Sequence, residues 1–244
     1  MAGAATGAGA AGAPRVVGVL GGMGPQATIA LMARVLDLVP ARDDADHVPL
    51  IVDSNTQVPS RIKAILEGDG ADPAPVLAAM ARRLQAAGAQ ALAMPCNTAH
   101  FYGDSIRGAV DIPFLDMLAL AARAADRAAV PGAPIGVLAS PAVRRTRVLE
   151  RALAAVGRRA VYGADEAALL GAIRSIKAQG PDAAAAAVLR GASAGLCAAG
   201  AEVQLVACTE FSLLKDALAA QAYAIDTMDV LARAVVDFSK GAPQ

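Results

Sequence analysis

Two decapeptides constrain this chain more than any other feature. Residues 87–96 read AGAQALAMPC and residues 199–208 read AGAEVQLVAC. Each runs from a helix end at Ala-Gly-Ala, through one polar residue and a short apolar stretch, to a cysteine. Cys208 lies 112 residues beyond Cys96. The opening stretch RVVGVLG (15–21) returns as PIGVLAS (134–140), with Gly136 118 residues beyond Gly18. Alternating α/β chains repeat such patterns anyway. A cysteine at the same point of both copies turns the repetition into the signature of one duplicated unit.

Strand and helix patterns alternate between these marks. The first copy reads as strand 15–20, helix 27–39, strand 47–52, a short helix 61–66, an Ala-rich helix 73–88, strands 91–94 and 112–115, and a helix 117–130. The second reads as strand 134–140, helices 144–156, 165–178 and 181–199, and strand 203–206. This order predicts an α/β fold of two pseudo-symmetric lobes. Each lobe is a mostly parallel sheet flanked by helices, with the active site in the cleft between them. The expected division is 15–114 plus 223–244 for the N-terminal lobe and 115–222 for the C-terminal lobe. Residues 1–14, an Ala/Gly tract, are expected to form a flexible tail outside the chemistry.

Composition excludes several classes of function. Lys plus Arg total 22 and Asp plus Glu total 22, so no basic excess points to a nucleic-acid backbone. With no Trp and 3% aromatic residues, the chain lacks a base-stacking platform. Three cysteines without a Cys-x-x-Cys motif do not make a disulfide framework. Two histidines argue against a His-rich metal site. No secretory signal or membrane-length apolar run is legible, so a cytoplasmic protein with reduced thiols and no membrane partner is expected.

Ligands gather at the carboxyl ends of strands in open parallel sheets, where Cys96 and Cys208 both lie. A pseudo-twofold axis sets two thiols on opposite sides of one substrate carbon. One then removes a proton as thiolate while the other returns one as thiol. The free thiol pKa, near ~8.5, is within reach of such tuning, and activity is expected to fall at both pH extremes. Asn97, Thr98 and Thr209 follow the cysteines and offer hydrogen bonds to a carboxylate at what read as helix starts. Gly21-Gly22-Met23-Gly24 permits close backbone approach. Gly22-x-Gly24-x-x-Ala27 loosely matches a dinucleotide fingerprint, but Pro25 removes an N–H and Asp53 falls later than the ~20 residues expected. Cys197, in an apolar helix, is assigned to the core. His100, about one turn past Cys96, reads as a structural hydrogen-bonding residue. The arginine pairs 82–83, 144–145 and 158–159 read as solvated surface.

The motifs GGMGP (21–25), NTQVPSR (55–61), MPCNTAH (94–100) and ACTEF (207–211) resemble the aspartate/glutamate racemase superfamily, and its aspartate racemase branch most of all. Glutamate racemases carry a His where Glu210 stands. The resemblance implies two lobes, paired catalytic cysteines Cys96 and Cys208, no cofactor, no metal and a homodimer. It implies substrate contacts from Met23, Asn55, Thr56, Gln57 and Arg61 in the first lobe, with Asn97 and Thr98. From the second lobe it implies Ser140, Lys177, Thr209 and Glu210. Arg61 matches the cation of the family's x-Pro-x-Arg loop and Lys177 resembles the lysine of the second lobe, as a substrate with two carboxylates requires. Ser60 replaces an Asp common in that loop, and Ser140-Pro141-Ala142-Val143 replaces a Thr-x-Gly-Thr turn. The implied activity is cofactor-independent racemisation of aspartate, or of glutamate or a broader set. Two alternatives stay open: isomerisation or decarboxylation of a dicarboxylic acid, and amino-acid binding without catalysis.

Overall fold

A computed structural model describes residues 13–241 of the chain. Most of the 1–14 tract, and residues 242–244, lie outside the described residues. The first half folds as β1 (Val17–Gly21), α1 (Pro25–Asp37), β2 (Leu50–Ser54), α2 (Ala74–Ala86), β3 (Ala91–Ala93), α3 (Gly103–Arg107), β4 (Phe114–Leu115) and α4 (Met117–Ala128). The second folds as β5 (Ile135–Ala139), α5 (Pro141–Thr146), α6 (Val148–Ala154), β6 (Ala160–Tyr162), α7 (Glu166–Gln179), α8 (Ala183–Ala198), β7 (Val203–Ala207), β8 (Tyr223–Asp226) and α9 (Thr227–Lys240). All strand pairings are parallel, and the two sheets have the same order, β2-β1-β3-β4 and β6-β5-β7-β8. The expected two-lobed α/β architecture is what the chain adopts.

The echoed glycines have a packing reason. A Cβ on Gly18 would stand 2.9 Å from Ala89 Cβ, and one on Gly136 would stand 2.9 Å from Gln204 Cγ and 3.1 Å from Leu196. Each glycine lets the segment leading into the cysteine-bearing strand press against the central strand of its sheet. β1 and β5 then deliver their C-terminal ends to helices that begin with Pro25 and Pro141. Proline suits that first turn, because its missing N–H has no helical partner there.

The two halves exchange helices. Asp116 at the end of β4 caps α4, accepting from the Leu118 and Ala119 amides. Yet Leu118, Ala121, Ala122 and Ala125 of α4 are buried against Ile135, Val137, Val203 and Leu205 of the second sheet. Asp226 at the end of β8 caps α9 through the Met228 amide. α9 in turn buries Met228, Leu231, Ala232 and Val235 against Val17, Val19, Ala91 and Ala93 of the first sheet. The sheets therefore part differently from the expected 114/115 and 222/223 boundaries. Leu115 pairs with Ala93 in the first sheet, and Tyr223–Asp226 pairs with β7 in the second. The change of lobe follows each strand, whereas the expected boundaries fall inside β4 and just before β8.

Arg158 departs from the solvated surface expected of it. Its side chain is 9% exposed, pairs with Asp126 at 2.7 Å and donates to the Asp126, Ala129 and Val130 carbonyls at the end of α4. Arg83 pairs with Asp53, which gives that acid a structural partner. Cys197 is only half-buried on α8, with its sulfur accepting from Gln204.

Candidate active site

Both cysteines end up on the wall of one small cavity between the lobes. Its volume is about 130 Å³. Pockets for drug-sized ligands run to roughly 300–1,000 Å³, so this one suits a small molecule rather than a nucleotide. A larger groove of about 640 Å³ lies between α1, α4 and α9, but its walls carry no nucleophile, only Arg, Asp and aliphatic side chains. Chemistry therefore favours the smaller cavity.

The wall gathers Met23, Arg61, Cys96, Asn97 and Thr98 from the first lobe with Ser140, Lys177, Cys208, Thr209 and Glu210 from the second. Asn55, Thr56 and Gln57 are not among the wall residues. Their loop closes on itself, with Asn55 Oδ1 accepting the Gln57 amide at 2.9 Å and the Gln57 side chain donating to Thr56. The loop's backbone instead packs on Gly22, where φ is +85° and a Cβ would stand 2.4 Å from the Asn55 carbonyl carbon. Ser60, Ile62, Ile173 and Ala207 also line the cavity and were not anticipated. Helical spacing offered a signal for Ile173, which is one turn before Lys177 on α7.

Cys96 and Cys208 are each 7% exposed. The segments after them are short 3-10 turns, Thr98–Tyr102 and Phe211–Ala217, rather than the helices expected. Their surroundings differ in charge. Cys208 Sγ donates to Glu210 Oε2 at 3.0 Å, and Glu210 Oε1 meets Lys177 Nζ at 2.9 Å. At the equivalent place in the first lobe, Thr98 pairs with Ser140 at 3.2 Å across the cleft.

Burial, then the Glu210 charge and hydrogen bond, push the Cys208 thiol well above its ordinary value. Burial also works to raise the Glu210 carboxyl, but the Lys177 charge and hydrogen bonds from Cys208 and Lys177 outweigh it, and the carboxyl titrates below its usual value. For Lys177, burial opposes the charge and the Glu210 carboxylate more than compensates, so the ammonium titrates above its ordinary value. The resting triad is thus a neutral thiol, a carboxylate and an ammonium. Replacing Glu210 by Gln removes the charge that disfavours the thiolate while Lys177 remains. The Cys208 pKa should fall, and the pH profile of its alkylation should move to lower pH by about one unit or more. A profile unchanged or moved upward would contradict this electrostatic assignment.

Two further groups have their hydrogen bonding fixed by their neighbours. Thr227 Oγ1 donates to the Val206 carbonyl at 3.1 Å, so it accepts from Asn97 Nδ2 at 3.1 Å. That orients the Asn97 amide and leaves its buried Oδ1 without a donor. Arg61 is not a free fork. Its Nη1 donates to the Val58 and Pro59 carbonyls and its Nη2 to the Met23 carbonyl, and the buried Nε has no partner. Among the described residues no group of three His, Cys, Asp or Glu is placed to hold a metal ion, and no helix is long and apolar enough to cross a membrane.

The family model for Asp/Glu/hydantoin racemases matches residues 20–235. The chain belongs to the Asp/Glu/hydantoin racemase family. Among solved structures of this fold, an aspartate racemase from Picrophilus torridus superposes with a TM-score of 0.79 at 24% identity, over 93% of this chain and 94% of that one. An aspartate racemase homologue from Pyrococcus horikoshii OT3 gives 0.73 at 19% identity, over 92% and 99%. At these identities the likeness establishes the fold. A broad-specificity amino-acid racemase of Bacillus subtilis (strain 168) is 29% identical over 116 residues, 42% of this chain. The match spans 46% of that relative's length.

Proposed function

We propose that this family member racemises an amino acid without a cofactor, with Cys96 and Cys208 as the two acid–base groups and aspartate as the first substrate. The observation that carries the reading is the arrival of two thiols, from equivalent strand ends of two lobes, on one small cavity wall. In one direction the Cys96 thiolate takes the α-proton and becomes a thiol. The electron pair left on Cα spreads into the α-carboxylate. The Cys208 thiol then protonates the opposite face and becomes a thiolate. The reverse reaction exchanges the roles. A protonated Cys208 held by Glu210 suits the acid role in the resting state.

The remaining wall residues support an amino acid with a second carboxylate. Lys177 brings a positive charge to the second carboxylate, and Arg61, held by three backbone carbonyls, adds to the positive field over the cavity. Asn97 Oδ1 lacks a donor, and an α-ammonium supplies one. The homodimer implied by the motifs, and a cytoplasmic location that keeps the thiols reduced, are consistent with this role.

The test is incubation with L-aspartate in D2O, following Cα deuteration by NMR and D-aspartate by chiral chromatography. Exchange accompanied by inversion is the expected outcome. Aspartate, glutamate and a panel of other amino acids all retaining their α-protons would overturn the proposal, and turnover of maleate or an arylmalonate in their place would assign diacid chemistry instead.

A further inference from the structure

His100 and Ser212 occupy the same place in the two copies, each four residues past its cysteine. We infer that they are a matched pair of positioning residues, each tying its cysteine's carbonyl to the start of the helix that crosses to the other lobe. The inference rests on the reading of Cys96 and Cys208 as the acid–base pair.

In the first lobe the tie is an imidazole. His100 is 7% exposed, and its Nδ1 lies 2.8 Å from the Cys96 carbonyl oxygen. Its Nε2 accepts the amide of Met117, the first residue of α4, at 3.1 Å. A ring nitrogen that accepts carries no proton, so the proton sits on Nδ1 and is donated to Cys96. Burial lowers the imidazole's pKa and keeps this neutral form, with Asp116 and the Cys96 carbonyl opposing and Arg107 assisting. The ring rests against Phe114, with centroids 5.2 Å apart.

The second lobe makes the same connection with other chemistry. The Ser212 amide donates to the Cys208 carbonyl at 3.1 Å. Its hydroxyl donates to Asp226 Oδ1 at 2.8 Å, and that oxygen also accepts the amide of Met228 in the first turn of α9. Neighbouring positions differ between the lobes, Thr98 against Glu210 and Ala99 against Phe211. Both lobes thus link the cysteine carbonyl to the next helix start, the first through the two ring nitrogens of His100 and the second through the Ser212 amide and hydroxyl. Fixing the carbonyl fixes the backbone that aims Sγ, and proton transfer depends steeply on that aim.

The test compares His100→Gln, His100→Leu and Ser212→Ala. A glutamine amide offers one donor and one acceptor, as the ring does, and does not titrate. His100→Leu is expected to lower kcat at least about tenfold with KM within about twofold, and His100→Gln to recover kcat to within about threefold of the parent. Alkylation by iodoacetamide, read at each cysteine by peptide mass spectrometry, needs no substrate. It therefore judges the ties even if the racemase reading fails. The Leu variant should alter the rate at Cys96 and spare Cys208, and Ser212→Ala should do the reverse. A Leu variant that melts like the parent and keeps both its kcat and its Cys96 rate would overturn the inference, as would a Gln variant as impaired as Leu. If the Leu variant does not fold, Ser212→Ala decides: a change confined to Cys208 supports the tie and no change overturns it.

Discussion

Replacing Cys96 or Cys208 by Ser is expected to reduce racemisation by about 10³-fold, within the range that general acid–base groups contribute. A hydroxyl is nearly the size of a thiol but a far weaker acid, so the variant keeps the cavity and loses the proton carrier. The loss should be equal in the two variants for inversion and unequal for exchange. A single remaining thiol faces one side of Cα. In D2O it removes the proton of one enantiomer, exchanges with solvent, and returns deuterium to the same face. Cys96→Ser should therefore deuterate one enantiomer with retention, and Cys208→Ser the other. Chiral separation followed by mass measurement of each enantiomer checks this. Variants that deuterate the same enantiomer, or that still invert at the parent rate, would exclude the opposed-thiol arrangement.

Replacing Lys177 by Met is the second large effect, with kcat/KM expected to fall about 100-fold, or ~2.7 kcal/mol of transition-state stabilisation. Two losses combine. The substrate's second carboxylate loses a cation, and Glu210, 13% exposed at its side chain, loses the ammonium 2.9 Å away. A carboxylate left largely buried without its counter-ion takes a proton more readily, which removes the charged acceptor of the Cys208 thiol. The double variant Lys177→Met, Glu210→Gln separates the two contributions. It retains the loss of substrate charge but no longer strands an acid, so it should exceed the single Lys177 variant in kcat. Steady-state kinetics of the four proteins in the cycle provides the comparison, and a Lys177→Met enzyme within about threefold of the parent would remove Lys177 from the site.

The duplicated pattern was legible because it is local. The Gly-containing first strand, the Ala-rich helix and the strand that stops at cysteine follow from periodicity and recur in both copies. The edge strands of the second sheet were not legible, whereas those of the first, β2 and β4, were. β6 is three residues long, and β8 begins with Tyr223, which is 61% exposed, so neither shows the apolar run that marked β1, β5 and β7. The exchange of α4 and α9 is contained in the expected division, which set 115–222 apart from 15–114 plus 223–244, but not in the periodicity of either helix. An amphipathic helix announces that it has a buried face, not which sheet it covers. The cavity wall was legible where a residue neighbours a cysteine or an anticipated cation. The sequence did not reveal that Asn55–Gln57 folds onto itself, that three carbonyls hold the Arg61 guanidinium, or that Thr227 orients Asn97 from 130 residues away. Each depends on a partner brought near only by the finished fold.

The exchanged helices also bear on what each half amounts to alone. Cut between α4 and β5, the first half keeps a sheet whose α9-covered face is bare, together with a helix whose apolar side belongs elsewhere. The second half is left with the complementary deficit. Neither is a module in its own right, and a single-copy chain with this topology would be completed by trading its last helix with a twin. The duplication thus joins in one polypeptide what would otherwise be a reciprocal embrace of two. The seam between the lobes, with one sulfur contributed from either side, is then built as a boundary between two like subunits would be.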